Sequence, residues 1–192
     1  MTRLLVSVRD VPEALLAASG GADFIDLKEP REGALGGLAV HTITAIVASL
    51  RARGVTLPIS ATIGDLGMDQ LDAILARVHA VAACRVDYVK VGITRAPQAA
   101  AVLAALAASG HAIVPVFIAD RGLDFERVQQ AGELGFPGVM VDTADKLAGN
   151  ETVKQALMAG MGISFLSAHA VQVELAAGRI AVLDVVDMPK WL

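Results

Sequence analysis

Two lysines and two aspartates stand where predicted strands end, and together they could perform chemistry. The second predicted strand contains Asp26 and runs into Lys28, the fourth contains Lys90, and the sixth ends at Asp142. A neutral amine can attack a carbonyl carbon and form a Schiff base, while a second, protonated lysine can carry protons. The set therefore predicts amine catalysis on a carbonyl compound.

The alternation of side chains along a strand predicts where these groups point. Asp26 and Lys28 alternate with two apolar residues, so they share one face of their strand. Lys90 is flanked by two valines and shares its face with Tyr88. Because the helix-facing side of a covered strand must be apolar, we expect the charged side chains to point into the interior of a barrel.

Two interpretations of the lysines remain open. In the first, the two desolvated ammonium groups repel each other, which favours the neutral, nucleophilic form of one of them. Asp26 and Asp142 would then keep the second lysine charged. In the second, Lys28 and Lys90 are ion-pair partners of the two aspartates and fill the barrel interior. Four such residues at strand ends favour chemistry over this structural alternative.

Short apolar segments rich in β-branched residues alternate with helical patterns along the whole chain, which predicts a parallel sheet covered by helices. The strands are predicted at Leu4–Val8, Phe24–Leu27, Leu57–Thr62, Tyr88–Gly92, Ile113–Ile118, Val139–Asp142, Ile163–Leu166 and Ile180–Val185. The helices are predicted at Val11–Ser19, Thr42–Ala52, Met68–Ala82, Pro97–Ser109, Phe125–Leu134, Glu151–Ala159 and Val171–Ala177.

Two α/β architectures fit this pattern, a (βα)₈ TIM-barrel-like fold and an open doubly wound sheet. The count of strands and the lack of a glycine-rich dinucleotide loop after the first strand favour the barrel. The chain, with 192 residues, is short for such barrels, which usually have about 200–250. We expect one domain over residues 1–192, with strands seven and eight supplied by the C-terminal segment.

Composition narrows the function classes. Hydrophobic residues make up 55% of the chain and charged residues 19%, which excludes disorder. The net charge of −4 argues against a nucleic-acid partner. Cys84 is the single cysteine and the four histidines share no ligand spacing, so no disulfide, metal site or cofactor is predicted. The aliphatic excess makes a homo-oligomer plausible.

One apolar stretch, residues 99–119, is about as long as a membrane span. It is interrupted by Ser109, Gly110 and Pro115, and its second half is rich in β-branched residues. Helix, turn and buried strand therefore fit better than a membrane span. With no targeting signal before the first strand, we expect the reducing cytoplasm as the compartment.

Four segments in order resemble a known enzyme family. They read DLKEPREGALG from residue 26, SATIGD from residue 60, YVKVG from residue 88 and DTADK from residue 142. Over about residues 3–147 the chain closely resembles (5-formylfuran-3-yl)methyl phosphate synthase, the first enzyme of methanofuran biosynthesis. The resemblance implies a barrel-fold lyase that condenses two molecules of glyceraldehyde 3-phosphate into a furan aldehyde phosphate, with loss of phosphate and water.

The resemblance also implies roles for individual residues. Lys28 matches the Schiff-base lysine and Lys90 the proton-transfer lysine, while Asp142 and Lys146 match positions that assist catalysis and substrate binding.

Further site residues are predicted beside these. Asp26 belongs with the catalytic group, and Ser60, Asp65 and Gly36 are expected to contact the phosphorylated substrate. Two alternatives stay open here: the glycine-rich segment around Gly36 could bind phosphate or be a flexible loop, and Asp65 could belong to a simple turn.

The C-terminal segment shows a second resemblance. Residues 149–189 are similar to part of the effector-binding domain of a LysR-type transcriptional regulator, without its helix-turn-helix region. The two resemblances suggest a chimera, in which an enzyme-like part, 1–147, precedes a divergent tail, 148–192. Ser164 and Ser167 could replace phosphate contacts in this tail. A catalytically impaired barrel, or a module that binds small metabolites, is the alternative function.

Overall fold

A computed structural model describes residues 4–33, 35–118 and 122–142. Its strands are β1 (Leu5–Val8), β2 (Phe24–Leu27), β3 (Ile59–Thr62), β4 (Tyr88–Ile93), β5 (Ile113–Ile118) and β6 (Met140–Asp142). Its helices are α1 (Val11–Ser19), α2 (Val40–Ala52), α3 (Leu71–Ala82), α4 (Ala99–Ala108) and α5 (Phe125–Glu133), with a 3-10 turn at Pro30–Glu32. The strands form one sheet in the order β1-β2-β3-β4-β5-β6, and every neighbouring pair is parallel.

The strand order distinguishes the two predicted architectures. A doubly wound sheet reverses its order at a switch point, whereas a barrel adds each strand beside the previous one. The described strands follow the barrel order without a reversal. The α/β prediction is confirmed, while the strands predicted at Ile163–Leu166 and Ile180–Val185 and the helices predicted at Glu151–Ala159 and Val171–Ala177 lie outside the described residues.

The sheet curls so that side chains from distant strands meet. Lys28 follows β2 directly and Asp142 ends β6, yet Lys28 Nζ lies 4.0 Å from Asp142 Oδ2. In a flat sheet, four strand spacings would separate these positions by roughly 19 Å. The face that carries both residues is therefore the concave, inner face.

Apolar side chains divide between the two faces of the sheet. On the outer face, Ile25, Leu27 and Ile59 belong to one large buried cluster with helix residues such as Ile43 and Leu50. Each fully buried side chain of this size stabilises the fold by about 1.5–3 kcal/mol. A second, small cluster consists of Leu35, Val116 and Ile118 with Met140 packed against it, and we call it the inner cluster.

The predicted elements agree closely with the structure in the part of the chain that is described. The strands β2 and β5 and the helix α1 have the predicted bounds, and the other elements differ at one or both ends by one to three residues because helix and strand ends fray. The apolar stretch 99–119 forms α4 and β5 up to Ile118, as predicted. Among the described helices, none has the length and apolar character that a membrane crossing requires.

Local capping explains the start of α1. The Asp10 side chain accepts a hydrogen bond from the Glu13 backbone N–H at 2.9 Å, and a proline stands in the first turn. Arg9 also stabilises the start of α1, because its guanidinium donates two hydrogen bonds to the Glu13 carboxylate through Nε and Nη2. These hydrogen bonds lower the pKa of Glu13 below its ordinary value of 4.5.

The Arg9–Glu13 pair predicts a small stability difference that depends on pH. A carboxyl group whose pKa is lowered by folding contributes stability above its unfolded pKa and loses it as pH falls through the folded pKa. We expect Glu13→Gln to lower the melting temperature by about 1 °C at pH 7, because exposed pairs contribute little. Thermal unfolding of both proteins at pH 7 and pH 2.5 measures this. A gap that persists undiminished at pH 2.5 would contradict the assignment to Glu13 ionisation.

Candidate active site

Asp26 and Lys90 form a buried ion pair on the inner face. Their side chains are 1% and 3% exposed, and Lys90 Nζ lies 2.7 Å from Asp26 Oδ2. The Ser60 hydroxyl donates to Asp26 Oδ1 at 2.7 Å, and the Ser7 hydroxyl donates to Asp26 Oδ2 at 3.2 Å. A buried charge is tolerated when it is paired and hydrogen-bonded, and Asp26 meets both conditions. The arrangement therefore provides Asp26 with a partner for each of its carboxylate oxygens.

Lys28 has a more open environment than Lys90. Its side chain is 21% exposed, and its ammonium lies 4.0 Å from the Asp142 carboxylate. Lys28 also borders a cavity of about 380 Å³ between β1 and α1, whose lining includes Val6, Glu13 and Leu16. The exposed part of its side chain makes Lys28 the more accessible of the two amines.

The strand register brings the two lysines to one level of the barrel. Thr62 on β3 is the register partner of Lys90 on β4. Lys28 comes one residue after the Leu27–Ala61 partners, which places it level with Thr62. Two strand spacings, or about 10 Å, then separate the backbones of Lys28 and Lys90, and both long side chains lie on the concave face. One small substrate between the strands could meet both amines.

The glycine-rich segment between β2 and α2 is anchored to the barrel. The Gly36 carbonyl accepts hydrogen bonds from the Glu29 N–H at 2.8 Å and from the Thr62 hydroxyl at 2.8 Å. The Gly36 N–H donates to the Gly33 carbonyl at 3.4 Å. Both backbone polar groups of Gly36 thus hold the shape of the loop, which places the loop over the inner face.

Asp65 lies at the rim beside this loop. It is exposed, and a Cβ added at Gly33 would collide with its carboxylate. Gly33 also has a φ of +109°, which disfavours any side chain there. The structure thus brings Asp65 and Gly36 to one side of the mouth, while Ser60 lies deeper and contacts Asp26. Lys146, Ser164 and Ser167 lie outside the described residues.

The loop also inserts Leu35 into the inner cluster, and Gly92 leaves room for it. Leu35 is fully buried against Val116 and Ile118. A Cβ built at Gly92 would lie 2.5 Å from Leu35 Cδ1. The apolar wall reaches the ion pair, because the Met140 sulfur lies 3.9 Å from Lys90 Nζ. Leu35 and Met140 therefore exclude water on one side of Lys90.

Adding one methyl group at Gly92 tests this packing. We expect Gly92→Ala to destabilise the fold by about 1–3 kcal/mol, because Leu35 must leave a well-packed position. Gly132→Ala is the matched control, since a Cβ there meets nothing within 4 Å and the residue lies in α5. The control should be neutral or stabilising by about 0.5–1 kcal/mol. Urea unfolding of both variants measures the difference, and equal stabilities would show that Leu35 does not need the space.

Sequence reasoning missed Ser7, Leu35 and Met140 as parts of the site. Ser7 stands between two valines in β1, so the same alternation that identified Asp26 could have indicated its inward direction. Leu35 and Met140 gave no such signal, because an apolar residue in a loop or strand has many possible neighbours.

The comparison with protein families now assigns the chain. The family described as 4-HFC-P synthase matches residues 4–191. The chain belongs to this family. The match continues well past residue 147, so it includes the segment in which the sequence also resembles a regulator.

Two relatives illustrate the membership in the 4-HFC-P synthase family. A putative (5-formylfuran-3-yl)methyl phosphate synthase of Methylorubrum extorquens is 37% identical over 188 residues, covering 97% of this chain and 75% of that protein. The (5-formylfuran-3-yl)methyl phosphate synthase of Methanosarcina mazei is 35% identical over 158 residues, covering 75% of this chain and 66% of that protein. The chain thus spans about two thirds to three quarters of the length of these relatives.

Solved structures with little sequence identity share the fold. A putative phosphonomutase from Burkholderia cenocepacia has a TM-score of 0.58 at 16% identity, over 93% of this chain and 85% of the other. A 2,3-dimethylmalate lyase, described as a member of the PEP mutase/isocitrate lyase superfamily, has a TM-score of 0.58 at 13% identity, over 90% and 72%. These likenesses concern the fold alone and agree with the barrel order of the strands.

A shorter match points to a regulator. The HTH-type transcriptional regulator CbbR of Sinorhizobium medicae is 45% identical over 53 residues, which is 28% of this chain and 17% of that protein. This partial match agrees with the resemblance between the C-terminal segment and a LysR-type effector-binding domain.

Proposed function

We propose that this member of the 4-HFC-P synthase family is a Schiff-base-forming lyase. It condenses two molecules of glyceraldehyde 3-phosphate to 4-(hydroxymethyl)-2-furancarboxaldehyde phosphate in methanofuran biosynthesis. The observation that carries the mechanism is the asymmetry of the two lysines. Lys90 is 3% exposed and paired at 2.7 Å with Asp26, whereas Lys28 is 21% exposed and lines a cavity.

Lys28 is the nucleophile in this mechanism. Its ammonium gives a proton to the Asp142 carboxylate, and the neutral amine attacks the aldehyde carbon of the first triose phosphate. A nitrogen–carbon bond forms, the carbonyl π bond breaks, and the oxygen takes a proton. Loss of that oxygen as water then gives the protonated imine. The partial exposure of Lys28 makes it accessible to the aldehyde, and its 4.0 Å distance to Asp142 supports the proton transfer.

Lys90 is the proton carrier. Its ammonium donates a proton to the oxygen that leaves as water, and the resulting amine removes a proton from the carbon beside the imine. Asp26 stabilises the ammonium and so returns Lys90 to its starting state. The buried position protects these transfers from bulk water, and the inner cluster contributes to this protection through Met140.

Substrate binding is assigned to the rim. Asp65 and the loop that contains Gly36 border the mouth, and Lys146 follows β6 in the sequence at a distance of four residues from Asp142. A cationic lysine there would attract the phosphate groups of the two trioses. Ser60, expected from the sequence to contact the substrate, is level with Asp26 and donates its proton to that carboxylate, so we assign it to Asp26 and not to the rim.

The (βα)₈ closure is part of the same proposal. The segments Ile163–Leu166 and Ile180–Val185 are assigned to strands seven and eight, between β6 and β1. The barrel order of the described strands and the family match through residue 191 support this assignment. In a closed barrel, the ends of β1, β2, β4 and β6 would surround one active site at the carboxyl face.

Product formation tests the proposed reaction. The purified protein is incubated with glyceraldehyde 3-phosphate, and the furan aldehyde is followed by its ultraviolet absorbance and its mass. We expect one inorganic phosphate to be released per furan product, because one of the two phosphate groups is retained. Dihydroxyacetone phosphate alone is the matched control, since it offers no aldehyde. A folded protein that makes no furan product would overturn the proposal.

A second candidate function is small-metabolite binding without turnover, and the CbbR match favours it. In this case the barrel would bind a phosphorylated metabolite but leave it unchanged. Calorimetric titration with glyceraldehyde 3-phosphate distinguishes the two functions. Saturable heat without product and without a covalent adduct would support the binding module and exclude the lyase.

A further inference from the structure

We infer that Ser60 and Ser7 are positioning residues, which orient Asp26 so that it holds the Lys90 ammonium for proton transfer. This inference rests on the role proposed for Lys90. It adds a function for two hydroxyl groups that act through the carboxylate and do not touch the reacting atoms.

The strand register puts the two serines on either side of Asp26. Ser7 on β1 is the register partner of Asp26 on β2, and Asp26 is the register partner of Ser60 on β3. Register partners in neighbouring strands point to the same face, so the three side chains form a row across the inner surface. All three residues lie within strands, so the sheet fixes their positions and no loop residue contributes to the row.

Each carboxylate oxygen of Asp26 has a fixed donor. The Ser60 hydroxyl donates to Oδ1 at 2.7 Å, and the Ser7 hydroxyl donates to Oδ2 at 3.2 Å. Lys90 Nζ donates to the same Oδ2 at 2.7 Å. Since both oxygens are held, the carboxylate group cannot rotate without breaking a hydrogen bond. Ser60 thus fixes the direction in which Oδ2 presents its negative charge to Lys90.

Burial makes the Ser60 hydroxyl important for the Asp26–Lys90 pair, whereas Ser7 is exposed and water can replace its hydroxyl. Asp26 and Ser60 are almost fully buried, so water does not replace a lost hydroxyl donor easily. A carboxylate held by Ser60 keeps its other oxygen in a fixed place, 2.7 Å from Lys90 Nζ. Other titratable groups on the same face are Tyr88, beside Ser60 in the register, and the Lys28–Asp142 pair. The serine variants leave these groups unchanged.

The role predicts a specific kinetic pattern for Ser60→Ala. We expect kcat to fall about tenfold, while the KM for glyceraldehyde 3-phosphate changes less than about twofold, because the lost hydrogen bond acts on proton transfer. The alkaline limb of the kcat profile should differ from that of the wild type, because Asp26 Oδ2 no longer meets the Lys90 ammonium in a fixed direction. Ser60→Thr keeps the hydroxyl and should restore both kcat and the profile. Ser7→Ala should show the same pattern at no more than about threefold, because its hydrogen bond is longer and water can replace its exposed hydroxyl.

Thr62→Val is the matched control. Thr62 is another buried hydroxyl residue of β3, but its hydroxyl donates to the Gly36 carbonyl and not to Asp26. Loss of the Thr62 hydroxyl should leave the alkaline limb of the kcat profile at the same pH as in the wild type. A merely structural role for Ser60 would give similar profiles for Ser60→Ala and Thr62→Val, and would overturn the inference.

The outcomes separate this inference from the proposed function. An active wild type with an unchanged kcat and pH profile in Ser60→Ala and Ser7→Ala contradicts the positioning role and leaves the lyase intact. A wild type that makes no product contradicts the proposed function itself, and the positioning role falls with it. Should Ser60→Ala fail to fold by circular dichroism, Ser7→Ala and Ser60→Thr decide the question. An unaltered profile in Ser7→Ala then counts against the inference.

Discussion

Replacing Lys28 with alanine is expected to abolish furan formation, with a loss in kcat of at least about 10⁴-fold. Among the described residues, the second lysine of the inner face cannot replace this amine, because Lys90 is buried and paired with Asp26. The fold should tolerate the change, since Lys28 is partly exposed and its contact with Asp142 is 4.0 Å long. Steady-state absorbance measurements, together with thermal unfolding, check both parts of the expectation.

Lys28→Arg is the matched control for charge. The guanidinium keeps a positive charge near Asp142 but does not act as an amine nucleophile at neutral pH. We expect it to be as inactive as Lys28→Ala and at least as stable. Substantial activity in the arginine variant would mean that Lys28 acts as a charge and not as a nucleophile.

Lys90→Met is expected to have the second large effect, on activity and on stability. Methionine is similar in shape but leaves the Asp26 carboxylate buried without its cation, which costs about 3–5 kcal/mol. Loss of the proton carrier should lower kcat by about 10²–10⁴-fold. Urea unfolding measures the stability, and the furan assay measures the rate.

A double variant separates the two effects. Adding Asp26→Asn to Lys90→Met removes the uncompensated charge, so much of the lost stability should return. Activity should stay low, because no proton carrier is restored. Recovery of activity together with stability would favour the structural interpretation, in which the lysines only fill the barrel interior as ion-pair partners.

The inner face of the barrel could be predicted from the sequence because strand alternation is a local property. Asp26, Lys28 and Lys90 each stand in a short apolar segment, and the period of two alone decides their direction. The partners could not be predicted in the same way. That Lys90 contacts Asp26 and Lys28 approaches Asp142 depends on the curl of the sheet, which joins residues from strands that are not neighbours.

The path of the loop and the packing of Leu35 could not be predicted from the sequence, for a different reason. The position of Leu35 depends on the path of the loop, on the Thr62 hydroxyl that anchors Gly36, and on the missing side chain of Gly92. Each of these contacts joins distant parts of the chain, and none has a local periodic pattern. Both ion pairs of the structural interpretation are present in the structure. The Lys28→Arg variant and the Lys90→Met/Asp26→Asn double variant distinguish this interpretation from catalysis.

Covalent trapping shows whether Lys28 forms a Schiff base. The folded protein is mixed with glyceraldehyde 3-phosphate, the imine is reduced with borohydride, and the protein is digested for mass spectrometry. We expect one reduced triose phosphate adduct on the peptide that contains Lys28, and no adduct on the corresponding peptide of Lys28→Arg. An adduct confined to Lys90, or no adduct in a protein that makes the furan product, would mean that Lys28 is not the Schiff-base lysine.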